Sequence, residues 1–164
     1  MSGRLVRRMA GWSVVVVVAV WSLVGCAGSD FSTSVEQRLL QVDGVDAVEA
    51  SRYHPGVPSN NDYLVYVTLK EGLSLTDLDA MIRRIVIVTA VTLDGHVTDN
   101  AEVSIRPYDT QMRMSSLPVY DELQAISDPR LGGAFRVFGG PMSTIASEGL
   151  GDLSAASAME GIDG

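Results

Sequence analysis

The chain has 164 residues, with 12 basic and 20 acidic side chains and a net charge of −8 at neutral pH. An acidic surface repels the phosphates of nucleic acids and anionic lipid headgroups, which argues against a polyanion-binding role. The length suits one domain behind a leader, and the single cysteine excludes an internal disulfide.

The first 25 residues predict an export signal. Arg4, Arg7 and Arg8 precede an apolar run from Trp12 to Val24, and no acidic residue occurs among them. Basic, apolar and then small residues are the order that is typical of a secretory signal. The run is shorter than the roughly 20 apolar residues that a membrane-spanning helix needs. The residues around Arg7 and Arg8 do not fit a twin-arginine signal, so ordinary Sec export is favoured.

The tetrad Leu23-Val24-Gly25-Cys26 resembles the lipobox of bacterial lipoproteins. The resemblance implies that residues 1–25 are a signal peptide, that the Cys26 sulfur carries a diacylglyceryl group, and that signal peptidase II cuts before Cys26. The protein is then held by lipid on the outer face of the cytoplasmic membrane, with no further cofactor. The alternatives are an uncleaved single-pass anchor and a plain secretory signal that is cut elsewhere.

Residues 26–31 form a lipidated tether, after which a helix and two strands are predicted. Thr33 and Glu36 stand in capping-box spacing, so a helix is expected from about 34 to 42, with Gly44 as its stop signal. A strand is expected from 45 to 53 and a loop from 54 to 61. Residues 63 to 69 are largely apolar on both alternating faces, which suits an interior strand.

A second helix is predicted from about 75 to 91. Ser74 and Asp77 form its capping pair, apolar residues including Leu75 and Ile82 line one face, and Arg83 and Arg84 are expected to point to water. An alternative is a strand over residues 85–93, because Ile85 to Val88 are β-branched and Asp94-Gly95 is a hairpin signal. Alternation from Ala101 to Ile105 predicts a last strand before Pro107.

The order α-β-β-α-β predicts an α+β fold, a small two-layer domain over residues 32–109 with helices on one face of a three-stranded sheet. The segments Val42 to Val48, Tyr63 to Leu69, Leu73 to Leu78 and Val103 to Ile105 resemble those of small uncharacterised lipoproteins of actinobacteria. This resemblance covers residues 20 to about 107, and only the anchoring role carries over, to Cys26. We expect Phe31 to Asp109 to fold alone.

Residues 110–138 are predicted to hold one short helix, from Val119 to Ile126, and loops. Residues 139–164 are rich in Gly, Ser and Ala and lack sustained periodicity, which predicts a disordered tail. The alternative is a tail that folds on a partner through Ile145, Leu150 and Leu153.

No residue pattern predicts catalysis. His54 lies in a Pro/Gly loop, and His96 between Asp94 and Asp99 fits a solvated turn better than a metal site. Asp43 and Asp46 offer too few oxygen ligands for calcium. We therefore predict no catalytic residue and no metal ligand. Tyr53, Tyr63 and Tyr66 could form an aromatic ligand patch, although a packing role is favoured.

The predicted function is that of a non-enzymatic interaction module, anchored to the membrane by lipid and in contact with another envelope protein. No nucleic-acid partner is expected, and the ligand-binding residues are unknown. The alternative is a carrier of a lipid or another apolar small molecule, which requires an apolar cavity of roughly 300 Å³ or more. A small hydrolase around His54 or His96 is the third possibility.

Overall fold

The computed structural model describes residues 31–53, 62–94, 100–106, 116–130 and 134–163. In chain order its elements are α1 (Phe31–Leu39), β1 (Val45–Tyr53), β2 (Asp62–Leu69), α2 (Leu75–Leu93), β3 (Asn100–Arg106), α3 (Pro118–Ile126), β4 (Ser127–Arg130), β5 (Ala134–Phe138), α4 (Gly139–Glu148) and α5 (Ala155–Ala158).

The strands form one mixed sheet in the order β1-β2-β3-β5-β4. β2 and β3 are parallel, which requires the crossover that α2 provides, and the other neighbours are antiparallel. The predicted α+β class is confirmed, as are the first three strands. Within the described residues the sheet nevertheless has five strands, because residues 134–138, expected to be a loop, pair with β3, and residues 127–130, also expected to be a loop, pair with residues 134–138. Runs of four and five residues are too short for their periodicity to show in the sequence.

The helices cover one face of this sheet. Tyr63, Val65, Val67 and Leu69 of β2 are buried, whereas the residues between them are half-buried. α2 lies at the centre of the helical layer and contacts α1, α3, α4 and α5. The opposite sheet face carries none of the described helices, so the domain has two layers, as predicted.

The chain from Leu75 to Leu93 is a helix, and the alternative strand over residues 85–93 is wrong. The Ser74 hydroxyl accepts a hydrogen bond from the Asp77 N–H at 3.1 Å, as the capping pair predicts. Ile85, Val86, Ile87 and Val88 are all buried, because the helix is enclosed on almost every side. Burial of this kind outweighs the preference of β-branched residues for strands. Leu75, by contrast, is 58% exposed.

The first helix begins and ends about three residues earlier than predicted. Thr33 therefore lies within α1 rather than at its N-cap. Glu36 has a different role from capping, since its Oε1 accepts a hydrogen bond from the Ala50 N–H of β1 at 2.8 Å. That contact satisfies one donor on the outer side of an edge strand, where an unpaired N–H invites pairing with another chain.

The prediction of a disordered tail over residues 139–164 is wrong for the described part, which extends to Asp163. α4 and α5 pack against α2 and bury Met142, Ile145, Leu150, Ala155 and Ala158. The small residues that suggested disorder let this segment approach α2 closely. The unit over residues 32–109 is therefore incomplete, because the helical layer and the sheet both use residues beyond it.

Buried apolar side chains of the helices and of the sheet form one core between the layers. The gap lined by Val86, Ala90, Val103 and Met142 is too small to admit a water molecule. In the described ranges, no helix combines the length and apolar character that crossing a membrane requires.

Candidate functional site

Two surface grooves flank the N-terminal half of α2. Between them lies a segment that we call the strap, Gly149–Asp163, which follows α4 and includes α5. Ala80 of α2 and Leu153 of the strap contribute to both grooves, so these two residues form the ridge that separates them.

The first groove has a volume of about 570 Å³ and combines an apolar floor with an acidic rim. Val42, Leu73, Met81 and Leu153 supply the apolar side chains. Three exposed carboxylates surround this floor. Asp43 lies between α1 and β1, Asp77 lies in α2, and Glu160 follows α5.

The second groove has a volume of about 500 Å³ and lies between α2, the start of α3 and the strap. Leu75, Leu117 and Pro118 provide apolar surface, and Asp79, Arg83 and Asp152 provide charge.

Arg83 is the centre of a polar network in the wall of the second groove. Its Nε donates to Asp79 Oδ2 at 2.8 Å, and its terminal nitrogens donate to both carboxylate oxygens of Glu122, with 2.7 Å between Nη2 and Oε1. The bond to Glu122 raises the pKa of the Arg83 guanidinium, and the contact with Asp79 adds to this, while burial opposes it. Asp79 also accepts the Val119 N–H of α3 at 2.7 Å. The network therefore joins α2 to α3.

This network contradicts the expectation that Arg83 faces water, because only 7% of its surface is exposed. Arg84 is also covered in part. It donates to the carbonyl oxygens of Ala158 at 2.9 Å and Glu160 at 2.6 Å, and so fixes the strap to α2. A further bond runs from the Asp163 N–H to Gln41 Oε1 at 2.9 Å. Both guanidinium groups are engaged in structural contacts.

Gly151 lets the strap pass over the Arg83 to Glu122 pair. Its φ is +61°, a conformation that L side chains rarely adopt, and a Cβ atom there would collide with the guanidinium and carboxylate groups. The backbone itself therefore covers the ion pair. Sequence reasoning missed these residues, although the spaced glycines of Gly149-Leu150-Gly151 and the capping Ser154 were a signal of local order.

The helix-free sheet face carries paired polar side chains. The Arg106 guanidinium lies 4.6 Å from the centre of the Tyr66 ring, and Arg136 Nη2 lies 3.1 Å from Glu102 Oε2. The Nε atom of Arg136 is buried and has no hydrogen-bond partner within the described residues. This face has the Tyr and Arg content of many interfaces.

The sequence-predicted candidates do not form a common site. Tyr63 is buried on the helical side of the sheet, Tyr66 lies on the opposite face, and Tyr53 is 52% exposed at the end of β1. The proposed aromatic patch is therefore wrong. Asp43, at the rim of the first groove, and Asp46, in β1, are both exposed.

The remaining candidates, Cys26, His54, His96 and Asp99, lie outside the described residues, and Asp94 is exposed at the end of α2. Within the described ranges, no group of three or more His, Cys, Asp or Glu side chains is placed to hold a metal ion.

The grooves and the start of α1 lie at opposite ends of the domain. α1 runs antiparallel to β1, since Glu36 reaches Ala50 and the turn between them brings Val42 to Val45. Phe31 is therefore near the Tyr53 end of β1. The first groove contains Gly44, which precedes β1, and Leu73, which follows β2. A β1 strand of nine residues separates the two ends by roughly 30 Å.

Comparisons with protein-family models, with curated proteins and with solved structures find no match for this chain.

Proposed function

We propose that this protein is a lipid-anchored module on the outer face of the cytoplasmic membrane, and that it works by binding another envelope protein. The lipobox supports the anchor. The position of the two grooves, at the end of the domain opposite Phe31, is the observation that carries the binding role.

Cys26 precedes Phe31 by five residues, and such a tether reaches at most about 18 Å. Anchoring through Cys26 therefore holds the Phe31 end near the membrane and leaves the grooves facing away from it. Two or three acyl chains make such an anchor durable, because each buried methylene contributes about 0.8 kcal/mol. Surfaces that face away from the membrane can contact other envelope proteins but not the lipids.

The side chains of the grooves also favour binding. The guanidinium groups of Arg83 and Arg84 are hydrogen-bonded to fixed partners, so they stabilise the fold rather than act on a substrate. The volumes of the grooves would suffice for the alternative, an apolar small-molecule carrier. Their charged lining, and the distance from the membrane that an anchored domain would have, favour the protein partner.

The test combines localisation with crosslinking in intact cells. The Cys26→Ser variant should lose lipid labelling, and its processed form should leave the membrane fraction. A photo-crosslinking residue at Asp43, beside the first groove, should give a discrete adduct with a second protein. The same residue at Tyr53, near the tether, serves as the matched control and should not give that adduct.

Tight membrane retention of a processed Cys26→Ser protein would refute the lipid anchor. Adducts of equal yield from Asp43 and Tyr53, or adducts only with lipid, would refute a partner-binding role for the groove end.

A further inference from the structure

We propose that the first groove binds a segment of the partner protein in which basic side chains flank an apolar one. This inference rests on the proposed function and adds the chemistry of the partner. We infer this occupant from the charge of the groove's rim and from the apolar side chains of its floor.

The rim of the groove has a surplus of negative charge. Asp43, Asp77 and Glu160 are exposed, and Arg84, the one cation among the described lining residues, is half-buried and hydrogen-bonded to two carbonyl oxygens of the strap. Basic side chains on a partner would therefore meet carboxylates. The predicted mature chain, with nine basic and twenty acidic residues, also steers a basic partner toward this protein.

The floor of the groove suits an apolar side chain. Val42 and Met81 are 2% and 6% exposed, and their neighbours Leu73 and Leu153 are half-buried. Met81 packs against the Gly44 backbone at the bottom of the groove, because a Cβ atom at position 44 would lie 2.7 Å from Met81 Cε. A methionine side chain adapts to the shape of a bound group, which makes it common at protein-binding surfaces.

Other occupants fit less well. Anionic headgroups and nucleic acids are repelled by the rim. A purely apolar ligand would leave the exposed carboxylates of Asp43 and Glu160 without a complementary charge, and Asp77, which also accepts the Ser74 hydroxyl at 2.6 Å, would lie beside it. In the described part of the chain no set of carboxylates is arranged to bind a metal ion. A segment in which basic side chains flank apolar ones uses both the floor and the rim.

The experiment uses the full lipidated protein in nanodiscs of neutral phosphatidylcholine, so that peptide does not bind the lipid through charge. The probe is the acetylated and amidated peptide Ser-Lys-Leu-Lys-Leu-Lys-Ser, and the measurement is its dissociation constant by calorimetry. One control peptide replaces each Lys with Gln, and the other replaces each Leu with Ser. Each control should bind at least tenfold more weakly than the probe.

Two double variants locate the binding. Asp43→Lys with Glu160→Lys should weaken binding of the probe at least tenfold. Asp121→Lys with Glu148→Lys changes the net charge by the same amount at exposed positions of α3 and α4, outside the lining of the groove, and should change it less than twofold. If the first pair alters the thermal unfolding midpoint, Asp43→Asn with Glu160→Gln provides the same test with a smaller charge change.

If both double variants weakened binding of the probe equally, net charge alone would attract the probe. If the peptide with Gln in place of Lys bound as tightly as the probe, the carboxylates of the rim would not contribute to binding. Either result overturns this proposal. Absence of probe binding, with the Asp43 crosslink intact, would overturn the basic segment but not the partner-binding function. Loss of the crosslink would overturn that function itself.

Discussion

Arg83 is buried, although its position in the sequence of α2 predicts that it faces water. Its position suggests an exposed face, and its spacing from Asp79 suggests only a weak surface pair of the i, i+4 kind. Glu122 lies 39 residues further along the chain, and the strap that covers the pair is more distant still. No local pattern reports such partners, so this burial could not be predicted from the sequence.

We expect Arg83→Ala to lower the free energy of unfolding by roughly 3 kcal/mol. The substitution leaves Asp79 and Glu122 without their cation at a partly buried site, and breaking one partner of a buried pair is costly. Arg106→Ala is the control, because Arg106 is exposed and its contact with Tyr66 is worth about 0.5 to 1 kcal/mol. Chemical denaturation measures both. Equal losses would mean that the Arg83 network does not stabilise the fold.

A comparison of Gly151 with Gly72 distinguishes two reasons why a position requires glycine, namely backbone conformation and lack of space for a Cβ atom. Both have positive φ, at +61° and +79°, but Gly72 has open space where its Cβ would lie. Gly72→Ala should cost about 1 to 2 kcal/mol through backbone strain alone. Gly151→Ala should cost more, and it should raise amide exchange in the strap, because the new Cβ collides with the Arg83 to Glu122 pair. If both substitutions lowered the free energy of unfolding by similar amounts, and Gly151→Ala did not speed up amide exchange in the strap, the close approach of the strap to the Arg83 to Glu122 pair would be contradicted.

The sequence predicts those helices and strands whose signals are local. The 3.6-residue period and the Ser74 cap identify α2, and alternation identifies β2. Pairing between distant segments leaves weaker signals in the sequence, which therefore predicts loops where β4 and β5 form. The composition of residues 139–164 predicts a disordered tail, since the small side chains of this segment bury little area individually. Its order comes from a fit to α2 rather than from its own composition.

Residues 31–109 are not expected to fold alone, contrary to the sequence prediction, because segments beyond residue 109 complete the sheet and the helical layer. That fragment would leave the β3 edge without β5 and remove the cover that α3, α4 and the strap give to α2. Side chains such as Val86 and Ile87, now nearly inaccessible, would be exposed. We expect the fragment to unfold without a cooperative transition, whereas residues 31–164 should show one. Thermal denaturation followed by circular dichroism compares the two, and a sharp transition in the fragment would contradict this assignment.

A lipid anchor at Cys26 would give the long axis of the domain a defined direction relative to the membrane. A chain held through Cys26 would place the Tyr53 end of β1 near the membrane and the Asp43 end about 30 Å away along the strand. The direction depends on α1 lying antiparallel to β1, a relationship set by the Glu36 to Ala50 contact.

Energy transfer to the membrane tests this direction in the lipidated protein. Cys26 is the only native cysteine, and in the lipidated protein the thioether to the diacylglyceryl group would block its sulfur, so Tyr53→Cys and Asp43→Cys would each give one labelling site at an exposed position. In vesicles that contain an acceptor lipid, transfer should be clearly stronger from the label at position 53. The difference should decrease when a flexible insertion lengthens residues 27–30, because a longer tether lets the domain tilt and rise. Stronger transfer from position 43 would place the grooves at the membrane, where a lipid ligand rather than a protein segment would be their natural occupant.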